Sequence, residues 1–121
     1  MVGAAGAGTV TDTKTGRIWQ QASVATTYSW GDVQTYCSAN TATLPGTGWR
    51  WPTIKELQSI VDDRSAAVAI DTTAFPSTPP GIFWSSTPYK DSPTLAWFVD
   101  FSSGNTGVGG VSDVHYARCV R

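Results

Sequence analysis

Two cysteines stand far apart in this chain of 121 residues, Cys37 in its first third and Cys119 next to its last residue but one. They are the only cysteines, and no C-x-x-C or H-x-x-x-H spacing accompanies them, so a metal site built from them and the single histidine, His115, has little support. Two readings remain, a pair of separate buried thiols or a bridge. A bridge is favoured in a chain so poor in lysine and glutamate, and it would tie the start of the domain to its end. Closing so long a loop stabilises a fold by ~4–5 kcal/mol in the chain-entropy model. It also implies an oxidising compartment.

The length points to one domain. We set its bounds at 9–121, with 1–8, "MVGAAGAG", as a flexible linker of small residues. That start lacks the basic region and long apolar core of a signal peptide. No stretch approaches the ~18–20 apolar residues that span a bilayer. The formal net charge is −1, with no basic stripe, which argues against nucleic acid as a partner and against a polybasic membrane contact. Six tryptophans with few charged residues suggest a sheet-rich module.

Alternation over residues 9–13, a "DTKTG" turn and "RIWQ" over 17–20 read as a hairpin. A helix is expected from about Ser29, with Ser29 and Asp32 as a weak capping box. Trp30, Val33 and Cys37 recur at i, i+3, i+7 and share its inner face. After a loop broken by Pro45, Gly46, Gly48 and Pro52, Thr53 and Glu56 form a T-x-x-E capping box. Ile54, Leu57, Ile60 and Val61 then make an amphipathic stripe that ends at Asp62 and Asp63. The prolines over 64–80 imply irregular chain. Three strands are expected last, over 82–86, 95–101 and 115–120, with "SSGNTGVGGVSD" as a turn or mobile loop. This order is α+β, not βαβ. The first hairpin is placed to pair with the last strand and bring the termini together.

The stretches "GRIWQ", "YSWGDVQTYCSA", "GWRWPTIKELQSIVD", "FPSTPPGIFWSST", "AWFVDFSSG" and "ARCVR" cover nearly the whole chain in order. Together they resemble the C-terminal domain family of the Legionella collagen-like protein. The resemblance implies a C-type lectin-like fold, with two helices packed on a small antiparallel sheet beneath an irregular loop region. It also implies a disulfide between the first helix and the last strand, matching Cys37 and Cys119. The best-described members are surface or secreted adhesins that bind sulfated polysaccharides. Here Trp51 stands where the family usually has leucine, and basic residues for a polyanion are scarce. The Glu-Pro-Asn and Trp-Asn-Asp tripeptides of calcium-dependent sugar binding are absent, so that activity is not carried over.

Among individual residues, Ser85 and Ser86 lack a G-x-S-x-G elbow, so a serine nucleophile is not expected. An enzyme of the formylglycine-generating type would need reactive cysteines, and both are assigned to the bridge. We therefore expect no catalysis. Trp49, Trp84 and Trp97 read as packing residues. Arg50 reads as paired with a carboxylate such as Asp71 or Asp100, or else as a ligand contact. Asp62, Asp63, Asp71 and Asp91 lack the D-x-D-x-D-G pattern, so no metal or cofactor is expected.

The candidate ligand-binding residues are Tyr89, Lys90, Asp91, Asn105 and Asp113 on loops over 76–94 and 102–115, Tyr116 flanking the second, and Trp51 as an exposed aromatic. Such side chains suit a neutral glycan or a protein epitope. The expected role is a non-catalytic recognition module, secreted or on the cell surface, with a glycan or a surface protein as partner. The alternative is an assembly or variable binding domain at a fibre tip, which implies a homo-oligomer.

Overall fold

A computed structural model describes residues 8–22, 26–62 and 68–121. The expected linker over 1–8 lies outside the described residues apart from Gly8, as does Asp63. The described chain is α+β, with two small helices and two antiparallel sheets rather than the single sheet expected.

The hairpin comes first, as β1 (Thr9–Thr11) and β2 (Ile18–Gln20), paired Val10 to Trp19. Its turn is closed by the Asp12 amide donating to the Arg17 carbonyl at 2.8 Å. The C-terminal residues do pair with it. The amides of Ile18 and Gln20 donate to the carbonyls of Arg121 and Cys119, each at 2.9 Å. On its other side Val120 exchanges two hydrogen bonds of 2.9 Å with Arg50. The expected strand over 115–120 is nevertheless not a continuous strand. It is a run of single bridges, because it changes neighbours as it goes: Tyr28 and Phe83 beside His115 and Tyr116, then Trp19 and Arg50 beside Val120.

Helix α1 (Trp30–Ser38) buries Val33 and Cys37, as its spacing predicts, and Tyr36 as well, while Trp30 is half-buried. Its capping box does not form. Ser29 is the N-cap residue, but its side chain makes no capping hydrogen bond. Asp32 carries one methylene fewer than the glutamate that normally reaches back in this motif. At α2 (Ile54–Gln58) the box is complete: Thr53 Oγ1 accepts from the Glu56 amide and Glu56 accepts from the Thr53 amide. The helix stops after five residues, yet the predicted stripe holds. Leu57 and Ile60 are buried, and Ile54 and Val61 pack against the same core.

The second sheet contains β3 (Ile82–Pro88), β4 (Leu95–Asp100) and β5 (Asn105–Gly110), in that spatial order and antiparallel. The third strand therefore comes from the stretch expected to be a loop. Both faces of this sheet are covered. Residues opposite each other share a face, so the Phe83–Val99 pair looks one way and the Trp84–Phe98 pair the other. Phe83 and Val99 join Leu57, Ile70, Phe75 and Phe101 in one core. Trp84 and Phe98 join Val33, Tyr36, Trp49 and the two cysteines in another. Fully burying one such side chain contributes ~1.5–3 kcal/mol.

Glycine in β5 has a packing reason. A Cβ at Gly107 would lie 2.7 Å from the tip of the Phe98 ring, and one at Gly109 would lie 3.2 Å from it. The ring rests on bare backbone. The second core is closed by the Cys37–Cys119 disulfide, whose Cα atoms are 5.4 Å apart.

Candidate functional site

The sheet has two ends, and they divide the predicted site residues. At one end, β3 turns into β4 with the Tyr89 amide donating to the Leu95 carbonyl at 2.9 Å. The Val111 amide donates to the Thr94 carbonyl at 3.0 Å, and the Trp30 amide to the Val111 carbonyl at 3.1 Å. These bonds bring the 89–94 turn, the 111–113 segment and the start of α1 together. Lys90, Asp91 and Asp113 are all exposed here. Tyr89 is half-buried, with its ring centroid 5.7 Å from that of Trp97. Trp97 is thus half-exposed rather than a core residue, because it lies beyond the reach of the α2-side core on its face of the sheet.

Asn105 is elsewhere. It lies opposite Asp100 at the far end of β4 and β5, in a strand instead of the expected loop. Tyr116 runs beside β3, its amide donating to the Ile82 carbonyl and its ring 5.3 Å from Phe83. It packs against the first core. Trp51 is half-buried with its ring 4.9 Å from Trp30, and the neighbouring Pro52 carbonyl accepts from the Ser86 amide. The indole of Trp30 donates to the Ser85 carbonyl at 2.8 Å. Of the seven candidates, four therefore gather at one end of the sheet, Trp51 flanks it, and two do not join them.

Ser85 is fully buried, its hydroxyl donating to the Trp97 carbonyl at 2.7 Å and accepting from the Thr87 amide. Its role is to stitch the bulged end of β3 to β4. His115 sits between aromatic rings, 4.8 Å from Trp84 and 5.9 Å from Phe98, and burial holds its pKa below the usual value.

The charged centre of the structure is structural in character. Arg50 pairs with Glu56, not with Asp71 or Asp100, through two bonds of 2.7 Å. Arg17 adds a third at 2.9 Å. Glu56 already faced this way because its carboxylate closes the helix cap, so the arginines meet a carboxylate that the cap has oriented. The Arg50 guanidinium is the main cause that draws the Glu56 pKa down to about 2. Arg118 was not singled out by the sequence. It is fully buried, stacked over Phe75 at 4.5 Å and Phe83 at 5.3 Å, and burial lowers its pKa to about 9. Its Nη2 donates to the Gln21 carbonyl and to Thr78.

Two hollows lie outside the predicted set. One, of about 310 Å³, is lined by Asp12, Lys14, Asp62, Asp71 and Phe75 among others. Asp12 and Asp71 each accept backbone hydrogen bonds within their own turns. The other, of about 230 Å³, is lined by Tyr28, Asp32, Thr35, Tyr36 and Thr41. The i, i+3, i+4 spacing of Asp32, Thr35 and Tyr36 was a legible signal for a shared helix face. No group of three or more His, Cys, Asp or Glu residues suited to a metal ion occurs among the described residues.

The family model described as the Lcl C-terminal domain matches residues 8–121. No curated protein matches the chain.

Proposed function

The chain belongs to the Lcl C-terminal domain family, and from that premise we propose a non-catalytic recognition module that works outside the cell and binds a neutral glycan. Its binding surface is the sheet end carrying Tyr89, Lys90, Asp91 and Asp113, with Trp51 beside it. The observation that carries this reading is the placement of these side chains. Three exposed polar groups and a half-buried tyrosine, backed by Trp97, sit together on turns that the sheet holds in register. None of the three makes an ion pair among the described residues. Loops on a rigid scaffold are the usual seat of recognition. Lys90 and Asp91 offset each other, which suits a neutral partner over a polyanion.

The C-type lectin-like fold is part of the same reading. It is supported by the bridge from α1 to the end of the chain and by the pairing of the C-terminal residues with β2. The disulfide is consistent with an extracellular setting. No helix among the described residues is long and apolar enough to cross a membrane.

A glycan array read at low and high salt tests the function. The expected result is binding to neutral glycans that changes little with salt and is lost in Lys90→Ala/Asp91→Ala. Absence of binding to every glycan overturns it. A second reading, an assembly domain at a fibre tip, is favoured by one feature: β5 is an edge strand, a template for pairing with another chain. Light scattering after size exclusion separates the two, since a stable trimer supports assembly and a monomer opposes it.

A further inference from the structure

We propose that the hollow between Tyr28, α1 and Thr41 is a saccharide subsite that seats one neutral pyranose ring, distinct from the sheet end. Its walls are Tyr28, Asp32, Thr35, Tyr36 and Thr41, and its volume is about 230 Å³. That is below the ~300–1,000 Å³ of drug-sized pockets, so it holds one ring and not a chain of several.

The chemistry of the lining selects the ligand. The rings of Tyr28 and Tyr36 have centroids 4.9 Å apart at 36°, so the buried Tyr36 backs the half-buried Tyr28, whose outer face is the wall. A cage for an organic cation would need rings facing each other across a gap. A single wall instead suits the flat C–H face of a sugar ring. At the rim, Asp32 is exposed and its carboxylate has no partner among the described residues. It accepts from ligand hydroxyls. Thr35 and Thr41, both exposed, offer hydroxyls that donate or accept. No lining residue is basic, which excludes a sulfated or carboxylated sugar.

The hollow is also built in advance. The Tyr36 hydroxyl accepts from Gln20 Nε2 at 2.9 Å, and burial raises its pKa, so it stays a neutral phenol. Tyr28 exchanges two backbone hydrogen bonds with His115. Thr41 lies between two residues in left-handed backbone, Asn40 at φ 51° and Thr43 at φ 56°. This conformation is ordinary for Asn40, which follows the end of α1, and costly for the β-branched Thr43. It is held by the Asn40 side chain, which donates to the Leu44 carbonyl and accepts from the Leu44 amide, each at 2.8 Å. The Thr41 amide donates to the Tyr36 carbonyl at 3.1 Å. With the Asn40 amide donating to the Cys37 carbonyl, this is a Schellman closure of α1, and it sets Thr41 beside Tyr36.

The test is an NMR titration of the whole domain with methyl pyranosides of the gluco, galacto and manno series, beside choline and methyl glucuronide. The expected outcome is saturable shifts at residues 28–41 for at least one neutral pyranoside, with a dissociation constant on the order of 1–10 mM. Asp32→Asn and Tyr28→Ala should each weaken it at least tenfold. Asp32→Asn removes only a favourable first-turn charge from α1, a small cost to the fold, so it remains decisive if Tyr28→Ala does not fold. Lys90→Ala/Asp91→Ala should leave these shifts unchanged, which separates this site from the sheet end. Shifts with choline alone, shifts with the glucuronide alone, or no shifts at residues 28–41 would each overturn the proposal.

Discussion

The carboxylate of Glu56 and the side chains of Lys90 and Asp91 represent the two regimes of this molecule. Glu56 accepts from Arg17, from both outer nitrogens of Arg50 and from the Thr53 amide, and it ties the turn of the first hairpin to α2. Beside it lie the C-terminal residues, bonded to β2 on one side and Arg50 on the other, and the disulfide. Lys90 and Asp91 are as polar, yet they are exposed at the tip of a hairpin and make no ion pair among the described residues. The contrast shows where stability resides. Charges near the closure of the chain are consumed by the fold, whereas those at the sheet end make no ion pair among the described residues and are the ones we propose meet a partner. Changes at the closure should cost stability and spare binding, and changes at the tip should do the reverse.

The largest effect expected is at the bridge. Cys37→Ala/Cys119→Ala should lose ~4–5 kcal/mol, which calorimetry would read as a drop in Tm of roughly 4–8 °C per kcal/mol. Binding measured well below the new Tm should persist. In the unaltered protein, native mass spectrometry after alkylation should show no modified thiol. Ready alkylation of both cysteines in folded, unreduced protein would remove the bridge and with it the main support for an extracellular domain.

Next is Trp84, fully buried where the disulfide-side core meets the sheet. Trp84→Ala should cost ~3–5 kcal/mol through the cavity left behind, measured by urea unfolding.

Glu56 gives a smaller effect with a pH signature. Its folded pKa of about 2 lies below its ordinary value of 4.5. The stabilisation is therefore fully present above about pH 4.5 and is lost as pH falls toward 2. Because Arg17 and Arg50 are partly exposed, screening leaves an expected contribution of about 1–2 kcal/mol. The gap in urea midpoint between the unaltered protein and Glu56→Gln should narrow from pH 7 to pH 3. A constant difference across that range would contradict the assignment. Smaller again is Gly107→Ala, whose new methyl group meets the Phe98 ring. The ring must tilt, at a cost of about 1 kcal/mol, visible as a modest shift in Tm.

Local signals in the sequence were read well where the chain itself decides the outcome. The box at Thr53 and Glu56, the stripe from Ile54 to Val61 and the inward phase of Cys37 all depend on neighbours within one or two turns. What was missed depends on partners distant in sequence. Residues 105–110 carry three glycines, poor strand formers, and become β5 because β4 offers a ladder and Phe98 needs flat backbone to rest on. Residues 115–120 alternate like a strand but are shared among several neighbours. Arg118 looks like an ordinary surface residue in sequence, and only the fold places it between Phe75 and Phe83. At the candidate site, Tyr89, Lys90, Asp91 and Asp113 were legible because turns advertise themselves. The separation of Asn105 from them was not, since it follows from the direction of β5.

The division between a closure that stabilises and the sheet end proposed to bind is tested most directly by one variant measured twice. Lys90→Ala/Asp91→Ala, assayed on a neutral-glycan array and in urea, should keep its unfolding midpoint to within about 0.5 kcal/mol, as surface substitutions do, while losing array binding. Binding equal to that of the unaltered protein, with the fold intact, would contradict the account.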